Sequence, residues 1–273
     1  MRFRRSICLP ASFACHFDLL GVPEEHYPVL RASASAFARF PAAIYSRNFP
    51  VIAEIGQNLA STEKVLLRLL AEGRSSPRPD LISALASVRQ GADALSDADI
   101  VVLCKLLLFA GHETTANLLG GSVLHLLRQR SLWNQLRDNR ELLPNAVEEL
   151  LRFISPVLSL ARVLTEDFEC HGVLMKKGDR IQLSVGAANH DPSQFSDPEN
   201  LKLDRVNSQS VTFGYVPHYC IGAGLARLEA QIALGSLLQH VPEMQLITDT
   251  VEYHPVFYLR ALRSLPITAR HPL

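Results

Sequence analysis

The feature that most restricts the fold is one long apolar-periodic run in the middle of the chain, from Ser96 to about Arg130. Ser96 and Asp99 have the spacing of a capping box, in which each side chain bonds the backbone N–H of the other residue, so they predict where a helix begins. The run is long enough for a single helix of about 35 residues and about 50 Å, far above the usual length. We therefore predict one long helix over residues 96–130.

The middle of this predicted helix carries residues that do not favour helices. Gly111, Thr114 and Thr115 lie in the hexapeptide Ala-Gly-His-Glu-Thr-Thr at residues 110–115, and all three are poor helix formers. A threonine hydroxyl inside a helix can bond the carbonyl one turn back and bend the helix, so a ligand can occupy the gap. The alternative is a polar stripe on a solvated helix face, although the apolar residues 106–109 just before the motif count against it.

The same hexapeptide raises one competing interpretation, a metalloprotease site. A histidine followed by a glutamate, here His112 and Glu113, begins a zinc-protease motif that needs a second histidine four residues after the first. That position is Ala116, so the sequence excludes a zinc site of this kind.

A second region, residues 213–222, places Cys220 between a turn-rich loop and a helical segment that runs from about Ala223 to Gln239. Backbone N–H groups and the positive end of the dipole at a helix N-terminus stabilise a thiolate. A thiolate in that place suits a soft or borderline metal, and haem iron held by one cysteine is among the known solutions. The alternative is a free cysteine that is buried as a small hydrophobic residue before an ordinary core helix.

The cysteine loop and the hexapeptide together resemble the cytochrome P-450 family, the haem-thiolate monooxygenases. The family pattern at the cysteine reads Phe-Gly-x-Gly-x-His-x-Cys-x-Gly, and residues 213–222 match every fixed position except one. Val216 stands where the family has glycine. Because Val216 precedes Pro217, it is biased towards extended backbone and away from positive φ, where a β-branched residue is an outlier. The loop is therefore predicted to differ locally from the family or to be strained.

The resemblance assigns roles to individual residues. It implies that Cys220 is the axial ligand of the iron in haem b, iron protoporphyrin IX, and that Glu113 and Thr114 are catalytic and deliver protons to dioxygen. The residues that it implies for cofactor binding are Gly111, Arg162, Phe213, His218 and Cys220. Arg162 and His218 are assigned to the haem propionates, and an arginine suits this role because its fork binds a carboxylate in a bidentate way.

A pair of opposite charges, Glu149 and Arg152, is spaced so that both side chains lie on one helix face. Alone, such a pair is usually a weak surface salt bridge. The downstream segment 195–205 resembles the meander of the P-450 family, whose arginine, here Arg205, joins the pair. The resemblance therefore predicts a buried charge triad behind the haem, with a structural and not a chemical role.

The match extends from near Leu9 to the C-terminus, and it implies a fold that is mainly α with small β-sheets. Residues 1–273 are predicted to form one partial P-450 domain that lacks the N-terminal part of the family. The predicted helices cover about residues 24–40, 48–72, 79–89, 96–130, 131–138, 143–154 and 223–240. Short strands are predicted within 159–184 and 245–270, with hairpin-like turns at Gly172 and Gly178.

The activity that the resemblance implies is insertion of one oxygen atom from O2 into a small organic substrate, with electrons from a ferredoxin or flavodoxin type donor. Two features keep a second interpretation open. The first residues of the chain resemble no family segment, and Val216 departs from the pattern. The alternative is a degenerate, truncated haem-binding or partner-binding remnant without turnover.

The composition limits the classes of partner and the cellular compartment that are expected for the chain. The 27 Lys and Arg residues balance 27 Asp and Glu residues, so there is no global basic field for nucleic acid and no polybasic membrane anchor. The five cysteines are too few and too scattered for a disulfide framework, which favours a reducing cytoplasm. The apolar run at 100–111 is too short to span a membrane. The arginine-rich start has a weak similarity to a secretory signal, but Pro10 interrupts its apolar run.

Overall fold

The computed structural model describes residues 9–88, 95–206 and 209–269. Within these ranges the chain is mostly helical and carries three two-stranded antiparallel sheets, so the predicted class, mainly α with small sheets, is confirmed. The described residues fall into two compact units, one of which is Leu9–Glu113 and the other of which begins at Thr114. Cys8 and the arginine-rich start lie outside the described residues.

The unit that ends at Glu113 is built entirely from helices in its described part. They are α1 (Leu9–Leu20), α2 (Tyr27–Phe37), α3 (Phe40–Tyr45), α4 (Phe49–Ser75), α5 (Leu81–Ser87) and the first part of α6 (Asp97–Arg128). The apolar stripes of α1, α2, α4, α5 and α6 meet in one cluster of buried side chains, which includes Phe17, Leu20, Leu30, Leu66, Leu69, Ile82, Ile100 and Leu108. Ala43 of α3 packs in a second cluster with Ala36 and Ile55. The first cluster holds α1 against the part of α6 that carries the hexapeptide.

Helix α6 begins where its cap residues place it. Ser96 N donates to Asp99 Oδ2 at 3.0 Å, and Asp99 N donates to Ser96 Oγ at 3.2 Å. These reciprocal bonds satisfy N–H groups that have no partner inside the helix. The helix then continues for 32 residues, so the glycine and the threonines of the hexapeptide do not interrupt it.

The first helix, α1, is absent from the elements that the sequence predicts. The apolar residues near Pro10 suggest an interrupted run, but Pro10 is the second residue of α1. A proline is tolerated in the first turn of a helix, because the N–H that it lacks has no intrahelical partner there. The proline therefore marks the start of a helix and not a break in one.

The second unit combines the rest of α6 with four further helices and all six strands of the described residues. The helices are α7 (Arg130–Asp138), α8 (Leu143–Ile154), α9 (Val185–Ala188) and α10 (Ala223–His240), and the strands are β1 (Ser159–Val163), β2 (Phe168–Cys170), β3 (Val173–Met175), β4 (Arg180–Ser184), β5 (Gln245–Leu246) and β6 (Ile267–Thr268). Strand β1 pairs with β4, β2 with β3 and β5 with β6. Gly172 and Gly178 have φ values of 76° and 92° and form the predicted turns.

Helices α8 and α10 occupy the predicted ranges, and they bury their apolar faces within this unit. Leu150, Ile154, Leu234 and Leu238 are all buried, as is Trp133 of α7. The Trp133 indole N–H donates to the carbonyl of Pro242 at 3.1 Å, which ties α7 to the segment after α10. Among the described helices, none combines the length and the apolarity that crossing a bilayer requires.

Candidate functional site

The cysteine loop holds Cys220 at the start of α10 with its side chain exposed. Cys220 N donates to the carbonyl of Phe213 at 2.8 Å, which closes the loop across seven residues. The Cys220 carbonyl in turn accepts from Ala223 N at 3.2 Å, so the residue is bonded to the loop on one side and to the helix on the other. The backbone therefore fixes a thiol that faces solvent.

The other described cysteines differ in setting. Cys104 is buried in α6, and burial raises the pKa of its thiol to about 11. Cys15 is half-buried, and Cys170 is exposed on the small β2–β3 hairpin. Only Cys220, among these four, combines exposure with a place at a helix start. Its exposure contradicts the alternative of a cysteine buried in an ordinary core.

Val216 adopts the backbone conformation that the residue before a proline is expected to avoid. Its φ is +50°, in the left-handed region, so the bias towards extended backbone is overridden and the strained form of the loop is present. The short 3-10 turn at Val216–His218 imposes this conformation, because Tyr219 N donates to Val216 O at 3.1 Å and Cys220 N donates to Phe213 O. Closing the loop on the helix outweighs the local preference of a β-branched residue.

Replacing Val216 by glycine is expected to stabilise the chain. The left-handed conformation costs a residue with a Cβ about 1–2 kcal/mol, and glycine removes this strain. Glycine also loses more chain entropy on folding, which costs about 0.5–1 kcal/mol. Since Val216 is 67% exposed, little packing is lost, and the free energy of unfolding should rise by about 0.5–1 kcal/mol in urea melts.

Val206→Gly is the matched control for that substitution. Val206 is 81% exposed and does not have a positive φ, so its replacement should cost about 0.5–1 kcal/mol through chain entropy alone. If Val216→Gly destabilises the chain as much as Val206→Gly, the loop is not strained at Val216.

Arg227, the fifth residue of α10, contacts the loop and is not predicted from the sequence. Its guanidinium carbon lies 4.6 Å from the centroid of the Phe213 ring, and Nη1 donates to the Tyr219 hydroxyl at 3.3 Å. Its other contact is with the Glu148 carboxylate, and this hydrogen bond raises the pKa of Arg227 above its ordinary value. Because Cys220 lies before the first residue of α10, no helical spacing in the sequence points to Arg227.

The predicted charge triad is present and buried. Glu149 and Arg152 have no exposed surface, and Arg205 is 8% exposed. Arg152 Nε and Nη2 each donate to Glu149 at 2.8 Å, and Arg205 Nε donates to Glu149 Oε2 at 2.9 Å. The remaining guanidinium N–H groups bond backbone carbonyls, such as that of Pro198. The triad therefore ties α8 to the segment after α9 with nearly all of its polar atoms satisfied.

The hexapeptide lies on α6 with its members in different environments. A Cβ at Gly111 would overlap the His16 ring of α1, so this glycine is required for the close approach of two helices. His112 is buried, and its Nδ1 lies 3.0 Å from the Leu108 carbonyl. Glu113 and Thr114 are half-buried, and a Glu113 oxygen lies 3.5 Å from His112 Nε2.

The two residues assigned to propionates lie on different elements. Arg162 is half-buried in β1, opposite Ile181 of β4, and its Nη1 donates to the carbonyl of Ala161 at 2.9 Å. His218 is exposed at the end of the 3-10 turn, two residues before Cys220. His218 and Phe213 are therefore brought to the cysteine by the loop itself, whereas the propionate role of Arg162 stays a prediction.

Comparisons with known proteins agree with this geometry. The sequence profile described as Cytochrome P450 matches residues 50–242. The chain is similar to a biotin biosynthesis cytochrome P450 of Bacillus subtilis (strain 168), with 37% identity over 251 residues, which are 92% of this chain and 63% of that protein. It is also similar to the polyketide biosynthesis cytochrome P450 PksS of the same organism, with 34% identity over 97% of this chain and 64% of that protein.

A solved structure gives the same result for the fold. P450BioI, in complex with an acyl carrier protein ligated to hexadec-9Z-enoic acid, has a TM-score of 0.92 and 35% identity, over 99% of this chain and 69% of that chain. The chain therefore belongs to the cytochrome P450 family. It spans 63% and 64% of the length of the two named relatives.

Proposed function

We propose that the protein is a haem-thiolate monooxygenase that inserts one oxygen atom from O2 into a small organic substrate, with electrons from a ferredoxin or flavodoxin type protein. The observation that carries the proposal is the exposed Cys220 thiol, bonded through its backbone to both the loop and α10. The proposal includes a cytoplasmic location, which the unoxidised thiols of Cys104, Cys170 and Cys220 support.

The residues around Cys220 fit haem b, iron protoporphyrin IX. A cysteine sulfur is a soft donor that suits such a metal. A Cβ at Gly222 would lie 3.9 Å from Cys220 Sγ, so the glycine leaves the space beside the sulfur open. Apolar side chains of the same segment are exposed, namely Tyr215, Val216, Tyr219, Ile221 and Leu228, and exposed apolar surface of this kind suits an apolar macrocycle. When bound, the haem supplies the redox chemistry at oxygen, with electron density from the thiolate.

The chain's own residues hold and orient this group. Cys220 provides the axial sulfur, and the ring of Phe213, held by Arg227, packs within the loop that presents it. Arg162 and His218 are proposed to bind the two propionates, since each offers N–H donors on a side chain that is not fully buried. The contribution of Gly111 is assigned to its backbone, because His16 fills the space where a side chain would lie.

Glu113 and Thr114 are proposed to manage protons. Glu113 is half-buried beside His112, so its carboxylate can exchange a proton with solvent and still reach the interior. The Thr114 hydroxyl is both a donor and an acceptor, and it is proposed to hold a water in position to pass that proton on. A positioned proton donor of this kind contributes typically 10²–10⁴-fold to a reaction rate.

The experiment that tests this proposal is replacement of Thr114 by alanine in the haem-loaded chain. Haem and substrate binding should persist, while product formed per electron falls by about ten-fold or more and peroxide rises in its place, because the proton is no longer delivered. Oxygen uptake, peroxide and product are measured with a ferredoxin and its reductase as the electron source. Thr114→Ser, which retains the hydroxyl, is the control and should behave like the parent chain. An unchanged product yield per electron in Thr114→Ala would show that Thr114 does not deliver the proton.

A further inference from the structure

Asn189, at the end of α9, uses every polar atom of its side chain while it is fully buried. Its Oδ1 accepts from Val211 N at 2.9 Å. Its Nδ2 donates to Ser155 Oγ at 2.9 Å and to Thr212 Oγ1 at 2.9 Å. One carboxamide therefore joins the C-terminal end of α8 to the segment that leads into the cysteine loop.

The two hydroxyls that face Asn189 have already used their protons. Ser155 Oγ donates to Arg152 O at 2.9 Å, and Thr212 Oγ1 donates to Leu151 O at 3.0 Å. A hydroxyl has a single proton, so at Asn189 both hydroxyls only accept. Val211 N only donates. Position 189 must therefore donate twice and accept once, which a carboxamide does and a carboxylate of the same shape does not.

The hydrogen bonds continue from this point to Cys220. Val211, held by Asn189, accepts at its carbonyl from Gly214 N at 2.9 Å, and Phe213 accepts from Cys220 N at 2.8 Å. Arg152 of the charge triad also donates to the Asn189 carbonyl at 2.7 Å. Asn189 thus connects the segment that leads to Cys220 directly to Arg152 of the charge triad.

We infer that Asn189 is a positioning residue that fixes where the chain enters the cysteine loop, and through it the place of the Cys220 sulfur. Asn189 acts through Val211 and Thr212. The inference rests on the proposed function at one point, which is that the Cys220 sulfur positioned by Asn189 is the haem ligand.

The test is Asn189→Asp in the full chain, with Asn139→Asp as the matched control. The Asn139 side chain accepts from Glu141 N at 3.2 Å, a role that a carboxylate keeps. Amide hydrogen exchange, measured without added haem, should be roughly ten-fold to hundred-fold faster at Val211 and Cys220 in Asn189→Asp, because the buried Ser155 hydroxyl loses its donor. The Thr212 hydroxyl loses the donor that joins it to α9 and keeps that of Ser210 Oγ, at 3.1 Å. Exchange in Asn139→Asp should equal that of the parent chain. After haem loading, Asn189→Asp should show a smaller fraction of the thiolate-type spectrum.

Thr212→Val keeps the inference testable if Asn189→Asp does not fold. Valine has nearly the shape of threonine but neither accepts from Asn189 nor donates to Leu151, so the same two amides should again exchange roughly ten-fold faster. Parent-like exchange at Val211 and Cys220 in either variant overturns the inference. A parent chain that lacks the thiolate-type spectrum counts against the proposed function alone, since amide exchange decides the role of Asn189 without haem.

Discussion

An Arg152→Ala variant is expected to lose about 3–5 kcal/mol of the free energy of unfolding, because it leaves a buried charge without its main partner. Arg152 and Glu149 have no exposed surface. The substitution removes the two hydrogen bonds from Arg152 to the Glu149 carboxylate and leaves it with the Arg205 guanidinium and the backbone N–H of Lys202. It also removes the donor to the Asn189 carbonyl. Since domains are stable by only about 5–15 kcal/mol, we expect less soluble protein and less bound haem. Urea melts followed by circular dichroism measure the loss.

Arg68→Ala is the control, because it breaks an exposed arginine–glutamate pair, whereas Arg152→Ala breaks a buried one. Arg68 and Glu72 lie at helical spacing, with N and O atoms 2.8 Å apart, and their side chains are 65% and 44% exposed. An exposed pair of this kind contributes about 0–1 kcal/mol. If Arg152→Ala unfolds at the same urea concentration as Arg68→Ala and retains its haem, the triad does not support the site.

Much of the fold follows from local signals in the sequence. The start of α6 is set by Ser96 and Asp99, which are three residues apart and whose side chains each accept from the other's backbone N–H. The turns at Gly172 and Gly178 likewise need only the freedom of glycine at positive φ. Such features depend on a few neighbouring residues, so no knowledge of the tertiary structure is needed to predict them.

The local rules fail where a distant contact decides the outcome. Val216 favours extended backbone by its type and by its place before a proline, and the observed loop goes against that preference. Pro10 would interrupt a helix at most positions, but it lies in the first turn of α1. The chain places Pro10 where a missing N–H has no consequence, and it closes the loop around Val216 with two hydrogen bonds. The packing of His16 on Gly111 joins residues on two helices, which no periodicity in either helix predicts.

The residues of the candidate site also fall into two groups, those that lie in sequence motifs and those whose role depends on tertiary contacts. Resemblance to a family predicts Cys220, His218 and the members of the triad, because these residues lie in motifs with fixed spacing. Asn189 and Arg227 were missed as parts of the site, since their roles depend on partners from other elements. That Ser155 and Thr212 have no proton left for Asn189 can be seen only once both hydroxyls are placed.

Cys220→Ala is expected to have the largest effect on the chemistry of the site. Alanine keeps the backbone hydrogen bonds to Phe213 and Ala223, so the fold should persist while the sulfur donor is lost. No other described cysteine has the place of Cys220 at a helix start, and we therefore expect complete loss of thiolate ligation. Cys170→Ala is the matched control, because Cys170 is also an exposed cysteine and should be replaceable without effect on the haem.

The measurement that tests the central claim most directly is the absorption spectrum of the reduced, carbon-monoxide-bound form of the haem-loaded chain. With Cys220 as the axial ligand, the parent chain and Cys170→Ala should both show the Soret band typical of thiolate ligation, and Cys220→Ala should show none of it. A thiolate-type band that survives in Cys220→Ala, or a parent chain that binds haem without this band, would contradict the assignment of Cys220 as the haem ligand.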